Sequence, residues 1–190
     1  MLSYKGMGDF PEYTANMPTQ LWIAARYFES IAFLLAILLM KKNIKYSRVF
    51  WVAMVVVALL LGSILYFGIF PACFIEGVGL TSFKIYSEYI ISLIFLVVLY
   101  LFIKNKKEFN SEIFGWFIIA IVSTIVGELA FTSYISVYGP ANMIGHLAKL
   151  IAFFYLYKVM ISYTVLNPLI IFSKKIIDEK IQLEKSLLES

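Results

Sequence analysis

The chain has 190 residues, of which 62% are hydrophobic and 17% aromatic, with a formal charge of +4 and a mean hydropathy of +0.87. Those values lie well outside the range of soluble globular domains and exclude that class. The lone cysteine, Cys73, excludes an intrachain disulfide and reads as a small apolar group.

Residues 1–20 carry Gly6, Gly8, Pro11 and Pro18 among aromatics, which predicts an amphipathic loop or short helix. They lack the basic start, apolar run and small-residue site of a signal peptide. Five apolar stretches then follow, at about 21–40, 49–70, 83–103, 113–138 and 141–165. Each is long enough to cross a hydrocarbon core, which takes about 20 helical residues. Lipid offers no hydrogen-bond partner to an open strand edge, so the stretches must be helices. The fold class expected is all-α, an integral membrane bundle of five transmembrane helices.

The connections set an orientation. Lys41, Lys42, Lys45 and Arg48 follow the first stretch, and Lys104, Lys106 and Lys107 follow the third. Lys174, Lys175, Lys180 and Lys185 lie beyond the fifth, while the alternate side holds only Lys5 and Lys84. Eleven basic residues against two, strictly alternating, put the N-terminus outside and the C-terminus in the cytoplasm. The positive charge then reflects topology and attraction to anionic lipid, not nucleic-acid binding. On the outer side, residues 71–83 contain Glu76, Gly77 and Gly79 and read as a tight turn over the bundle. Gly139-Pro140 forces a short hairpin that makes the fourth and fifth helices antiparallel neighbours.

Six ionisable groups interrupt the apolar stretches: Arg26, Glu29, Glu88, Glu128, His146 and Lys149. Each costs about 2.5–3.5 kcal/mol at a helix centre, so such groups face a partner or a cavity. At 1.5 Å per residue all six fall within about 15 Å of the outer surface. The inner half reads as nearly pure Leu, Ile, Val and Phe. Arg26 with Glu29, and His146 with Lys149, are spaced three apart and share helix faces. Asn142, Ser92 and Thr132 extend the polar stripes. The expected geometry is an outward-open pocket lined by the first, third, fourth and fifth helices, with the second at the periphery.

Two readings of this layer stay open. One is structural pairing, Arg26 with Glu128 and Lys149 with Glu88 or Glu29. The other is a site for a small polar or amphipathic ligand, with Arg26 and Lys149 facing its anionic part, the acids holding those cations, and His146 conferring a response near pH 6–7. One histidine cannot supply bis-histidine haem ligation, and a zinc site would need the glutamates as well, so no metal is assigned and any cofactor stays unidentified. A small transporter or proton channel would use the same carboxylates but needs a polar path to the inner face. No nucleophile–base or metal-protease spacing points to an enzyme.

After Asn167-Pro168 the pattern changes. Residues 169–190 place Ile176, Leu183 and Leu187 on one stripe and Lys and Glu residues on the rest. An amphipathic helix on the inner leaflet fits this pattern. So does the start of a parallel dimeric coiled coil that carries a signal onward and stops mid-pattern, as in a truncated chain.

The runs YKGMGDFPEYTANMPTQLWIAARYFES, CFIEGVGLTSFKIYSEYIISLI, GELAFTSYISVYG and ANMIGHLAKLIAFFYLYK closely resemble the third type of bacterial membrane-associated sensor domain. The resemblance runs from Tyr4 to about Pro168. It implies a sensory input module of the bacterial inner membrane, at residues 1–168, without catalytic activity of its own. Such modules precede histidine kinases, including those of two-component systems, and diguanylate cyclases. It further implies that members carry helices before the YKGMG run, ending in a histidine-containing segment, so this chain resembles a member without its first helices and output domain.

Overall fold

The computed structural model describes residues 15–132 and 140–162, with Thr164 and Ile177 as isolated positions. The expectations for the N-terminal loop, the Gly139 turn and the tail at 169–190 fall wholly or mostly outside these residues. Among the described residues five long helices form the framework: α1 (Asn16–Leu39), α2 (Tyr46–Leu65), α3 (Ser82–Lys104), α4 (Ser111–Thr132) and α5 (Pro140–Ile161). All five are long and apolar enough to cross a membrane. Their outward faces confirm the class, since Trp51, Leu59, Leu93 and Leu150 are all more than 60% exposed. Such a surface is stable against lipid and not against water.

Helix ends differ from the expected ones for local reasons. Helix α1 starts at Asn16 instead of residue 21, because Pro18 is tolerated in a first turn. The Asn16 and Gln20 side chains also hold that turn against the loop before α3. Cys73 and Phe74 donate backbone N–H bonds to Asn16 Oδ1 at 2.7 and 3.0 Å. Gln20 Nε2 donates to the carbonyls of Phe70 and Pro71 at 2.9 and 3.0 Å. Helix α2 ends at Leu65, short of residue 70: Gly68 takes a φ of +59°, and the N–H of Ile69 folds back on the Ser63 carbonyl at 3.1 Å. Asn110 starts α4, its side chain accepting from the Glu112 N–H at 3.1 Å.

The expected tight turn is a small antiparallel hairpin, β1 (Phe74–Ile75) and β2 (Gly79–Leu80). The Val78 N–H bonds the Ile75 carbonyl, and Gly77 supplies the φ of +81° that this turn requires. Thr81 then caps α3, accepting from the Lys84 N–H at 3.3 Å while donating to the Ala72 carbonyl at 2.7 Å.

Helix α3 is the centre of the bundle. Ile91, Phe95 and Val98 pack with Ile121 of α4, and Tyr27, Phe33 and Leu34 of α1 close over them. The α4–α5 seam instead uses small residues: Gly127 faces the Gly145 carbonyl and Ala148, and a Cβ on Gly145 would lie 2.6 Å from the Phe131 ring. Close backbone approach of this kind is how helices associate in lipid. Phe131 meets Gly145 while Gly127 meets Lys149, so the two helices run antiparallel. Helix α2 is peripheral, with Ile64 its single buried residue. An ion pair between Lys41 and Glu108, at 2.8 Å, puts the α1–α2 and α3–α4 connections at one end, the lysine end. The β1–β2 hairpin marks the other, the hairpin end.

Candidate functional site

Near the hairpin end, four helices direct charged side chains inward. Along α1, Trp22, Arg26 and Glu29 are spaced four and three apart, and along α3 Lys84, Glu88 and Ser92 are each four apart, so each set shares a face. Helix α4 contributes Glu128, and α5 contributes Lys149 across the small-residue seam. Glu88 and Glu128 are 0% exposed, and Arg26, Lys84 and Lys149 are likewise buried.

Glu128 is the hub. Lys149 Nζ donates to its Oε1 at 2.5 Å, and Arg26 Nε lies 2.7 Å from the same oxygen in an ion pair not aligned as a hydrogen bond. Arg26 Nη1 also pairs with Glu29 Oε2. Lys84 Nζ sits 2.7 Å from Glu88 Oε1 and donates to the Phe131 carbonyl at 2.6 Å, close to the end of α4. Glu88 is within electrostatic reach of Glu128, Lys149 and Arg26, which joins the two groups into one cluster. Three acids thus face three fixed cations.

The expected layer is largely assembled, with three corrections. Arg26 does pair with Glu128, but Lys149 takes Glu128 instead of Glu88 or Glu29. Lys84, expected at the end of a loop, is a buried member and the partner of Glu88. Its four-residue spacing from Glu88 was the available signal. His146 does not join the ion pairs among the described residues. It is exposed, because it lies about 60° around the helix from Lys149, which takes the inward face. Its ring stands edge-on to Phe131 at 5.2 Å and to Trp22 at 6.3 Å. Of the flanking polar groups, Ser92 is buried on the cluster side of α3, whereas the Thr132 hydroxyl turns back to the Leu129 carbonyl at 2.7 Å.

Aromatic rings line the cation side. Trp22 lies 6.0 Å from the Arg26 guanidinium and 5.5 Å from Lys149 Nζ, and Phe95 lies 5.7 Å from Arg26. Arg26 Nη2, Glu88 Oε2, Glu128 Oε2 and Ser92 Oγ are buried without a hydrogen-bond partner among the described residues. Buried polar atoms are rarely left so, and these four offer both a donor and acceptors to a further polar group. Above the cluster, Cys73 is fully buried, and burial pushes its thiol up to about 11. Among the described residues no three of His, Cys, Asp and Glu come close enough to hold a metal ion.

A polytopic helical membrane domain with a buried charge cluster near one end is the class that this fold and site define. The family model of the membrane-associated sensor domain MASE3 matches residues 1–168, and the chain belongs to that family. No curated protein and no solved structure matches it.

Proposed function

We propose that the chain is the sensory input module of a bacterial signalling protein, detecting a small polar or amphipathic ligand in the outer half of the inner membrane. Residues 1–168 form the sensor, with the N-terminus outside, and residues 169–190 begin a cytoplasmic helix that dimerises and drives a histidine kinase or diguanylate cyclase output domain. The module itself performs no catalysis. One observation carries the reading: a sensor-family bundle buries a charge cluster at one end and leaves four of its polar atoms available to a further group. Intramembrane charge is costly, and it marks functional sites more often than structural ones. Arg26, Lys149, Glu29, Glu88 and Glu128 form the site, joined by Lys84, with His146 at its rim.

The test uses the protein joined to its native output domain. Arg26→Gln and Glu128→Gln, which remove the charge and keep a polar side chain, are expected to abolish the response while insertion and expression stay near normal. If both fail to fold, and an Arg26→Met, Glu128→Leu, Lys149→Met triple variant restores a stable protein, the cluster is structural pairing and the reading falls. Orientation is tested separately. An impermeant thiol reagent added to intact cells is expected to label Val78→Cys and not Asn43→Cys, and the reverse pattern overturns it.

A further inference from the structure

The three acids of the cluster are not equivalent. Glu88 and Glu128 are fully buried, whereas Glu29 is 22% exposed and reaches Arg26 from one turn along the same helix. That tether brings Glu29 Oε2 to Nη1, while Nε faces Glu128 and Nη2 has no partner among the described residues. A guanidinium is a planar fork suited to two parallel N–H bonds with one carboxylate. Glu29 uses half of it.

Charge leads the same way. Without Glu29, the buried set holds three cations, Arg26, Lys84 and Lys149, against two acids, Glu88 and Glu128. It lacks one negative charge. The surroundings of the fork are apolar, with Trp22 and Phe95 beside the guanidinium, and Trp22 continues outward to Phe131 at 5.1 Å and to exposed His146. Helices α1 and α5 meet there through these side chains.

We propose that Arg26 binds the carboxylate of an organic monocarboxylate with an apolar body, and that Glu29 is a built-in competitor holding part of the site until the ligand arrives. The inference rests on the cluster being a ligand site and adds its chemical class. The incoming carboxylate takes Nη1 and Nη2 together, its body lies against half-buried Trp22, and Glu29 swings toward its exposed side. Because Glu29 competes from the same helix at high effective concentration, removing it strengthens binding.

The test is a titration of the full chain in phosphatidylcholine nanodiscs with butyrate and with laurate. Trp51→Phe and Trp116→Phe leave Trp22 as the fluorescent reporter. A saturable change is expected. Glu29→Gln should tighten it at least tenfold, and Arg26→Lys, which keeps the charge but loses the fork, should weaken it at least tenfold. If Glu29→Gln does not fold, Glu29→Asp, too short to reach Nη1, carries the same expectation. Binding of both acids points to a soluble ligand, and of laurate alone to one that enters from the bilayer. Failure of both to bind, or a Glu29 variant that binds no tighter, overturns the inference. If the charge variants still silence the output while no carboxylate binds, this inference falls and the sensor reading stands.

Discussion

At the hairpin end, five charged side chains are buried and paired across four helices, while at the lysine end the half-buried charge of Lys158 lies over aromatic rings. The ammonium is 4.3 Å from Trp116, 5.8 Å from Phe154 and 5.9 Å from Tyr155, and at the same end Phe102 stacks on Phe114 and meets Phe109 and Phe117 at a tilt. Both ends accommodate cations in an apolar bundle, by different physics. A lysine near a helix end keeps its stem in lipid and its charge near water, so it needs no acid. The cluster has no such exit, and its desolvation is offset only while every partner stays in place. One end therefore responds sharply to the loss or gain of a single charge, and the other does not.

The largest effect expected from this contrast is at Glu128. Replacing it with Leu leaves Arg26 and Lys149 buried without their shared carboxylate, at a cost of about 3–5 kcal/mol. Thermal unfolding of the detergent-solubilised protein measures the loss. A triple variant, Arg26→Met, Glu128→Leu and Lys149→Met, is expected to recover most of it. A Glu128→Leu protein as stable as the parent would mean that the pairing contributes nothing, and the contrast between the ends would disappear.

Cys73 sharpens the picture of how closed the hairpin end is. Its thiol is raised from 9.0 to about 11, so its thiolate fraction near pH 8 is about 100-fold below that of an ordinary cysteine. Maleimide labelling at pH 8 should be slower than at Val78→Cys by at least that factor, and should accelerate toward pH 11. The sign for stability follows: the neutral thiol is favoured in the fold, so its contribution is complete below pH 9 and is lost as pH rises toward 11. Equal labelling rates would mean that water reaches the cluster from above.

The Gly145 position tests the seam that brings Glu128 to Lys149. A methyl group there lies 2.6 Å from the Phe131 ring, so Gly145→Ala must separate α4 from α5 or displace the ring. Overpacking of this kind costs about 1–3 kcal/mol. Phe131→Leu in the same chain should relieve part of it. A fully tolerated Gly145→Ala would show that the seam is looser than the Glu128–Lys149 contact requires.

The helices were legible because an apolar run of about 20 residues has few alternatives to a membrane-spanning helix. That the charged residues share one level along the bundle was legible for the same reason, since rise per residue converts position to height. Rotation was not. Arg26, Glu128 and Lys149 form one triad because Gly127, Gly145 and Ala148 let two backbones approach, and small residues in an apolar run do not announce their partners. His146 and Lys149 share a face in the coarse sense of three-residue spacing, yet about 60° of rotation sends one out and the other in. Lys84 is not among the six expected groups because, in the first turn of the third stretch, it counts as a basic residue of the connection before it. The inner half was read as nearly pure Leu, Ile, Val and Phe, and Lys158 corrects that: a single lysine is easily overlooked where rings, not acids, hold it.

The smallest effect is expected at that residue. A cation over an aromatic face contributes about 0.5–1 kcal/mol when exposed and about 2 when desolvated, and half-buried Lys158 falls between these. Lys158→Leu should therefore cost well under the Glu128 change, with a shift in Trp116 emission as the stack opens. Lys158→Arg should preserve both stability and emission, since a guanidinium also lies well on an indole face. The paired measurement is decisive because both sites sit in the same fold and lose one formal charge. If Lys158→Leu destabilises as much as Glu128→Leu, Lys158 is a buried charge in its own right and the lysine end is built on the same principle as the hairpin end. If its effect is small, the lysine end holds its cation without an acid, and the sensitivity to a single charge is confined to the cluster around Glu128.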